Sequence, residues 1–355
     1  MTDTATTASP EFTFTVDAAH EAHEPPEARG IARDGVRLLV SKGDADPVDT
    51  RFRELPYVLD AGDLLVVNTS ATIPAAFDGR LPDGEPIVVH LSGSLPGDVW
   101  LTEIRRPHDG ATAPMHVAHA VDVALLAGGT VHLLAPFSGS ERLWLATLEV
   151  GSDVLTYALT NGRPIRYSHV HRDWPLSAYE SVFAREPGSA EMPSASRPFT
   201  DAIVTDLVTR GVLVAPLLLH TGVSSLEGGE APYPERYRVP ATTAANINAI
   251  RHARGRVVAV GTTVVRALAT VTDERGTVHP GEGWTEIVVS PDHPVRSVDG
   301  LLTGWHEPES SHLMMLEAFA STDVLSRAYD AALELGYLWH EFGDSHLILR
   351  AGERR

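Results

Sequence analysis

The clearest hydrophobic pattern in the chain is a run of small apolar residues that gives way to apolar positions at helical spacing. Val257–Val260 are mostly β-branched, which predicts a strand covered on both faces. Gly261 permits a sharp turn, and Thr262 or Thr263 offers a cap for a following helix. The apolar face of that helix is predicted from Val264, Val265, Leu268 and Val271. Free N–H groups at such a turn favour an anion or polar ligand, although an ordinary capped strand–turn–helix fits the same residues.

The amino-terminal part of the chain combines a polar tail with short strands. Residues 1–11 are rich in Thr, Ala and Ser and are predicted to be disordered. Phe12, Phe14 and Val16 alternate with polar residues, the period of a half-buried strand. Further strands are predicted at residues 36–41 and 64–67. The second of these ends in Asn68-Thr69-Ser70, whose polar side chains either meet a ligand or close a local turn.

The sequence pattern changes between residues 76 and 150, where short segments rich in strand-forming residues are separated by turn residues. The predicted strands are 87–91, 99–104, 121–126, 130–134 and 142–148. Regular short strands with turn signals are typical of a small barrel or sandwich. We therefore predict an inserted all-β, barrel-like domain at 76–150, within a larger α/β domain formed by 12–75 and 151–355.

Helices and strands alternate after residue 151. Helices are predicted at 154–159, at 201–210 with a Thr200 cap and Gly211 after it, at 243–254 with Gly255 as the C′ residue, and twice within 309–335. Strands are predicted at 212–219, 285–290 and 345–349, and loops at 226–240 and 291–308. The predicted fold class is α/β (α+β): a large α/β domain with a mixed sheet that carries the β-barrel-like insertion.

The amino-acid composition excludes several kinds of site and partner. The absence of cysteine among the 355 residues excludes disulfides, thiolate zinc sites and a cysteine nucleophile. There is no leader-like start and no apolar run of about 18 residues, so we expect a soluble cytoplasmic protein without a membrane partner. The formal charge of −19 repels phosphate backbones, so any nucleic-acid partner needs a local basic patch.

Histidine pairs raise the question of a metal. His169 with His171, and His20 with His23, have spacings that a metal ion accepts, but the sequence offers no third ligand. We interpret these four residues as surface histidines and expect no metal.

Three polar groups follow predicted strands or lie in a nearby loop. They are His220-Thr221-Gly222, Gly261-Thr262-Thr263 with Arg266, and Thr303-Gly304-Trp305-His306. Ligands of open α/β sheets bind beyond the carboxyl ends of the strands, so one shared site is a natural interpretation. His306 and His220 are the candidate proton-transfer groups because histidine titrates near neutrality. For any single histidine, however, a structural, hydrogen-bonded role is the more common one.

These residues belong to longer segments that resemble one family. The similar segments are 62–75, 179–200, 217–223, 258–268, 298–316 and 342–349, in family order. They resemble the S-adenosylmethionine:tRNA ribosyltransferase-isomerases of queuosine biosynthesis, with the GTT-x-x-R segment at Gly261 and the DGL-x-T-x-x-H segment at Asp299 as the specific motifs. The resemblance implies a large α/β domain with a β-barrel-like insertion.

The resemblance also implies an unusual reaction in which S-adenosylmethionine is a co-substrate. The ribosyl group moves to the aminomethyl group of 7-aminomethyl-7-deazaguanine in tRNA and is rearranged to give epoxyqueuosine, while adenine and methionine are released. Such chemistry needs a base for the acidified C5′ proton, a donor to the departing adenine and a positioned amine.

Site residues follow from the resemblance and from the strand-end pattern together. The predicted catalytic residues are His306, Arg266 and His220, with His306 inferred as the base. Trp305 is expected to offer a ring face to adenine or to the sulfonium. The predicted substrate-binding residues are Asn68, Ser189, Pro193, Ser194, Thr221, Gly222, Gly261, Thr262, Thr263, Thr303, Trp305, Ser310, Ser311 and Asp344.

Departures from the family pattern leave two alternatives open. Asn68-Thr69-Ser70 stands where the family has Asn-Asp-Thr, and Gly304 and Glu307 replace an asparagine and a leucine. One alternative is a paralogue that uses S-adenosylmethionine with a small acceptor or cleaves it alone. The other is a non-catalytic protein that binds S-adenosylmethionine or a nucleoside. We expect a monomer or a homodimer.

Overall fold

The computed structural model describes residues 12–108, 110–137, 140, 142–223, 233–308 and 310–350. The strands within them are β1 Arg37–Lys42, β2 Val48–Arg51, β3 Leu64–Asn68, β4 Ser70–Thr72, β5 Ala76–Arg80, β6 Pro86–Leu95, β7 Val99–His108, β8 Ala111–Pro114, β9 Asp122–Leu125, β10 Thr130–Pro136, β11 Leu143–Glu149, β12 Glu186–Ser189, β13 Leu213–Leu219, β14 Glu235–Val239, β15 Val257–Val260, β16 Gly281–Thr285, β17 Gly300–Thr303 and β18 Ser345–Leu349. The α-helices are α1 Leu55–Val58, α2 Val154–Asn161, α3 Asp201–Thr209, α4 Ala241–His252, α5 Thr262–Val271, α6 Ser311–Glu317 and α7 Thr322–Leu335. The tail predicted at 1–11 lies outside the described residues.

A mixed sheet forms the larger part of the fold. Its strand order is β16-β14-β13-β3-β15-β17-β18-β1-β2. The four central strands β13, β3, β15 and β17 run parallel to one another, whereas β14 and β18 on either side of them are antiparallel to their inner neighbours. Parallel central strands are covered on both faces, as their near-continuous apolar sequences require.

Alternate residues of β3 supply the cores on the two faces of this sheet. Leu64 and Val66 pack in the core that also holds apolar residues of α4, α5 and α7. Leu65 and Val67 point the other way, into the core that includes residues of α1 and α3. The period of two along the strand therefore produces a layered arrangement with the sheet in the middle.

The strands from Ala76 to Glu149 form a separate sheet with its own core. Their order is β11-β10-β9-β5-β6-β7-β8, and β11 also pairs with β7, which closes six of them into a barrel. Large apolar side chains such as Phe77, Trp100 and Trp144 fill its core. The α/β fold class with a barrel-like insertion is confirmed, while the division of the chain into domains stays a prediction.

Most of the predicted elements are present in the structure. The strands expected near 36–41, 64–67, 212–219 and 345–349 are β1, β3, β13 and β18. The helix expected after Thr200 is α3, and the Thr200 hydroxyl accepts a hydrogen bond from the Ile203 N–H at 3.3 Å. The two helices expected within 309–335 are α6 and α7.

Four predictions of local structure were wrong. Phe12 to Val16 alternate in burial but pair with no strand in the described chain; Phe12 and Phe14 pack on Tyr329 instead. The strand expected at 285–290 is β16, which ends at Thr285. The loops expected at 226–240 and 291–308 contain β14 and β17.

The carboxyl end of helix α4 also differs from expectation. Helix α4 ends at His252, and Arg254 rather than Gly255 takes the left-handed conformation, at φ 63°. Gly255 is needed for close approach, because a Cβ there would lie 2.4 Å from the Gly62 carbonyl oxygen.

No helix in the described part of the chain is both long and apolar enough to span a membrane.

Candidate functional site

The candidate site lies where the four parallel central strands end. Because these strands run in one direction, their carboxyl ends share one edge of the sheet. The residues at this edge are Asn68 at the end of β3, His220 after β13, Gly261 after β15 and Thr303 at the end of β17. Thr303 was expected in a loop, but it is the last residue of a strand.

Gly261 makes the turn from β15 into α5. It occupies the N-cap position at φ 93°, a conformation that favours glycine, and its N–H donates to the Leu302 carbonyl at 2.8 Å. Neither Thr262 nor Thr263 caps the helix, so the predicted threonine cap was wrong. Thr262 is half-buried in the first turn of the helix. The Thr263 hydroxyl instead accepts a hydrogen bond from the side-chain amide of Asn68.

Asn68 is fully buried and connects three elements of the site. Its amide nitrogen donates to the Leu219 carbonyl at 2.7 Å and to the Thr263 hydroxyl at 3.3 Å. Its amide oxygen accepts from the Leu219 N–H at 3.0 Å and the Ser70 N–H at 3.1 Å. Asn68 therefore fixes the end of β13 against the start of α5, and all of its hydrogen-bonding atoms are used by protein groups.

Ser70 connects His220 to Ser189. The Ser70 hydroxyl lies 2.7 Å from His220 Nδ1 and 2.6 Å from the Ser189 hydroxyl, which also accepts from the Thr221 N–H at 2.9 Å. Burial lowers the pKa of His220 to about 4, and the charge of Arg236 adds to the effect. The imidazole is therefore neutral at pH 7.

The residues after His220 contact both the barrel and the sheet. The Thr221 hydroxyl donates to the Glu191 carbonyl at 2.8 Å. The Val223 N–H donates to the Ser92 hydroxyl on β6 at 3.1 Å, so the barrel packs directly on the end of β13. The Gly222 N–H donates to the carboxylate of Glu235 at 3.2 Å.

Glu235 is a functional candidate that the sequence analysis missed. It is a buried residue of β14, and its second carboxylate oxygen accepts a hydrogen bond from Arg266 Nη1 on α5. Burial raises the pKa of Glu235, while the Arg266 guanidinium and the Gly222 N–H oppose that shift. In the sequence, Glu235 is one of three glutamates in a stretch rich in Gly, Pro and Tyr, and such a stretch does not mark a strand.

His306 lies beyond β17 with a neutral imidazole. Its Nε2 is 2.9 Å from the Thr303 hydroxyl, and its ring stacks on His312 with centroids 4.8 Å apart. Burial lowers the pKa of His306 well below its ordinary value, with smaller effects from His312 and His346. A neutral imidazole in this position is able to accept a proton.

Trp305 lies in the core rather than in the open edge. Its ring is 4% exposed and stacks on His346 at 4.7 Å, with Tyr329, Tyr337 and Trp339 packed around it. His346 covers one face of the Trp305 ring, and the expectation that Trp305 offers a face to adenine or to the sulfonium stays a prediction.

Other predicted residues line a narrow cavity beside this edge. Ser194, Gly304 and Asp344 are among its lining residues, and Pro193 is the residue that precedes the short turn at Ser194–Ser196. The Asp344 carboxylate accepts from the Arg37 N–H at 2.6 Å and the Leu338 N–H at 2.8 Å. Burial raises its pKa. Both carboxylate oxygens thus bind backbone groups.

Ser310 precedes α6 and has a buried hydroxyl without a hydrogen-bond partner among the described residues. Ser311 is the first residue of α6, and its side chain lies outside what the structure describes. An unpartnered buried hydroxyl is costly unless a ligand or water satisfies it. Whether these and the other predicted residues bind substrate stays a prediction.

The histidine pairs set aside in the sequence come together elsewhere. His23 stacks on His171 with centroids 4.0 Å apart, and His169 stacks on His340 at 3.9 Å and lies 2.6 Å from Glu341. Across the residues that the structure describes, no group of three or more His, Asp or Glu side chains has an arrangement that could hold a metal ion.

Fold and site together define a class: an α/β protein with an inserted barrel, whose polar groups collect at the carboxyl edge of a parallel sheet core. Comparison with known proteins makes this specific. The chain belongs to the queuosine biosynthesis protein family, whose sequence model it matches over residues 9–348.

Relatives of this family cover the chain almost completely. The S-adenosylmethionine:tRNA ribosyltransferase-isomerase of Moorella thermoacetica is 34% identical, over 96% of this chain and 99% of its own length. The enzyme of the same name from Symbiobacterium thermophilum is 36% identical, with the same coverage. The crystal structure of S-adenosylmethionine tRNA ribosyltransferase from Thermotoga maritima aligns with a TM-score of 0.53 and 26% identity, over 96% of this chain and 100% of that one.

Proposed function

We propose that the chain is an S-adenosylmethionine-dependent ribosyltransferase-isomerase that acts on tRNA. The observation that carries the proposal is similarity over nearly the whole length to relatives that bear this activity in their names. The relatives give no support to a small-molecule acceptor or to a binding protein without turnover.

His306 is the proposed base for the C5′ proton of S-adenosylmethionine. A sulfonium next to C5′ acidifies that proton, so a neutral imidazole suffices as acceptor. Two features support this role: burial lowers the pKa of His306 and so keeps its imidazole unprotonated near neutral pH, and its Nε2 is held 2.9 Å from the Thr303 hydroxyl. The imidazole of His220, held by Ser70, is the second neutral group at this edge and the proposed partner for the departing adenine or the incoming amine.

The acceptor is the aminomethyl group of 7-aminomethyl-7-deazaguanine in tRNA, and the products are epoxyqueuosine in the tRNA, adenine and methionine. The net charge of −19 makes tRNA binding depend on local cationic surface rather than on the overall field. We expect the reaction to take place in the cytoplasm, and by either a monomer or a homodimer.

The test is release of adenine and methionine from S-adenosylmethionine, measured by chromatography with mass detection. Each assay is run with tRNA that bears the aminomethyl-deazaguanine base and with the same tRNA bearing guanine. The proposal predicts release with the first tRNA alone. Equal release with the guanine-bearing tRNA would contradict the proposed acceptor, and no release in either assay would contradict the proposed enzyme.

A further inference from the structure

Glu235 holds Arg266 by one side of its guanidinium group. One carboxylate oxygen accepts from the Gly222 N–H at 3.2 Å, and the other accepts from Arg266 Nη1. Both side chains are largely buried, with 9% of the Glu235 side chain and 15% of the Arg266 side chain exposed. The Glu235–Arg266 pair therefore connects the residues that follow β13 to α5. The hydrogen bonds of Asn68 connect the same two elements nearby.

The donors of Arg266 are not all used by the protein. Nε donates to the Ile287 carbonyl at 3.3 Å and Nη1 to Glu235, which leaves Nη2. Nη2 is buried and has no hydrogen-bond partner among the described residues. A buried cationic donor without a hydrogen-bond acceptor is unfavourable. The unpartnered Nη2 therefore indicates a ligand that supplies an acceptor.

The position of Arg266 on α5 places that nitrogen near the proposed reaction. Arg266 follows Thr262 by four residues, so the two side chains lie on one face of the helix at its amino-terminal end. The charge of Arg266 also acts on His312, the ring that stacks on His306. The Arg266 guanidinium therefore lies within electrostatic range of the ring that stacks on the proposed base.

We propose that Arg266 Nη2 binds the carboxylate of the methionyl part of S-adenosylmethionine, and that Glu235 is the positioning residue that holds the guanidinium for it. This inference rests on the proposed function. The carboxylate is the one anionic group of that substrate, and a guanidinium is its natural partner. The sulfonium and the ammonium are cations that Arg266 repels, which fixes the direction in which the substrate lies.

Charge balance supports the assignment. Glu235 neutralises the charge of Arg266, so the buried pair by itself carries little net charge. The amino-acid end of S-adenosylmethionine is a zwitterion, and it also adds no net charge. A free anion such as phosphate, in contrast, would add a negative charge beside the Glu235 carboxylate.

The test compares S-adenosylmethionine with its decarboxylated analogue by calorimetry without tRNA. The wild-type protein is expected to bind S-adenosylmethionine about 10- to 100-fold more tightly, as for one charge-assisted hydrogen-bonded pair. Arg266→Met and Glu235→Gln should each reduce that preference to about 3-fold or less. Because the preference is a ratio measured within one preparation, partial loss of folded protein does not alter it.

A merely structural role for Glu235 gives a different result. It lowers the affinity for both ligands alike and leaves the preference unchanged, and that outcome would overturn the positioning role. The matched control is the exposed ion pair of Arg163 and Asp78, at 2.7 and 2.8 Å, on the barrel side. Arg163→Met and Asp78→Asn should keep the wild-type preference.

The outcomes also separate this inference from the proposed function. If the wild-type protein releases adenine with tRNA but does not distinguish the two ligands, the inference fails and the proposed function stands. If Arg266→Met loses the preference and Glu235→Gln keeps it, the carboxylate site stands and the role of Glu235 is overturned. If the wild-type protein binds neither ligand and releases no adenine, both fail.

Discussion

The amide nitrogen of Asn68 lies 3.3 Å from the hydroxyl of Thr263, and this contact joins the two halves of the candidate site. Asn68 ends the strand next to β13, whereas Thr263 lies in the first turn of α5. The same amide group binds both the N–H and the carbonyl of Leu219, one residue before His220. Asn68 is thus one of the buried side chains that fix the position of His220 relative to the start of α5.

Asn68→Ala should lower the free energy of unfolding by about 2–4 kcal/mol, because it leaves the buried N–H and carbonyl of Leu219 without their partners. Urea denaturation monitored by circular dichroism measures this change. The control is Thr205→Ala on the exposed side of α3, which should stay within about 0.5 kcal/mol of wild type. A loss below about 1 kcal/mol for Asn68→Ala would show that Asn68 does not hold the site together.

His306→Ala should reduce turnover by about 100-fold or more, the usual effect of losing a general base. The substitution removes the imidazole but leaves the backbone carbonyl that accepts from Trp339 Nε1 at 3.0 Å, so the fold should persist. Adenine release under saturating substrates measures the effect, with the exposed His279→Ala as control. A His306→Ala variant that retains more than about a tenth of wild-type turnover contradicts the assignment.

The pH dependence of kcat/KM should show the lowered pKa of His306. A base works in its neutral form, so activity is lost as the pH falls through the pKa of the free enzyme. Because burial places that pKa well below 6.5, activity should persist between pH 6.5 and 6 and decline at lower pH. A half-maximal point at pH 6.5 or above, on the acidic limb, is the result that this assignment does not allow.

Stability should fall in acid because of the buried histidine His346. Burial lowers its pKa to about 3, while an unfolded histidine titrates near 6.5. Above pH 6.5 both states are neutral; below it only the unfolded state takes up the proton, and stability declines. The contribution lost between pH 7 and pH 5 is about 2 kcal/mol.

His346→Gln should remove that contribution while keeping a polar group toward Ser41, whose hydroxyl lies 2.9 Å from His346 Nε2. The difference in unfolding free energy between pH 7 and pH 5 should therefore be about 2 kcal/mol smaller than in wild type. His119→Gln, at an exposed position, should not change it. If the unfolding free energy of His346→Gln depends on pH as in wild type, groups other than His346 cause the loss of stability in acid.

Much of the fold was predictable because long apolar elements carry a clear period. Val257–Val260 followed by Gly261 gave both a buried strand and its turn, since four small β-branched or apolar residues and a glycine leave few alternatives. The cap was wrong because Gly261 itself occupies the N-cap position at φ 93°. The residues at both ends of an element depend on tertiary contacts that the local pattern does not contain.

Short strands with polar residues escaped prediction for a related reason. Strand β14 alternates Glu235, Tyr237 and Val239 inward with two arginines outward, and β17 has four residues inside a long irregular stretch. Neither has the length or the apolar content that marks a strand in sequence. The sequence therefore predicted three of the strand-end groups but not Glu235, which becomes visible only when β14 pairs with β13.

The central claim is that the ribosyl group, and not the methyl group, of S-adenosylmethionine reaches tRNA. The most direct measurement uses S-adenosylmethionine labelled with carbon-14 in the ribose and, separately, in the methyl group, with tRNA that bears the aminomethyl-deazaguanine base. The account predicts that the ribose label enters the tRNA in step with adenine release, while the methyl label is recovered in methionine. Methyl label in the tRNA, or adenine release with no ribose label in the tRNA, would contradict it.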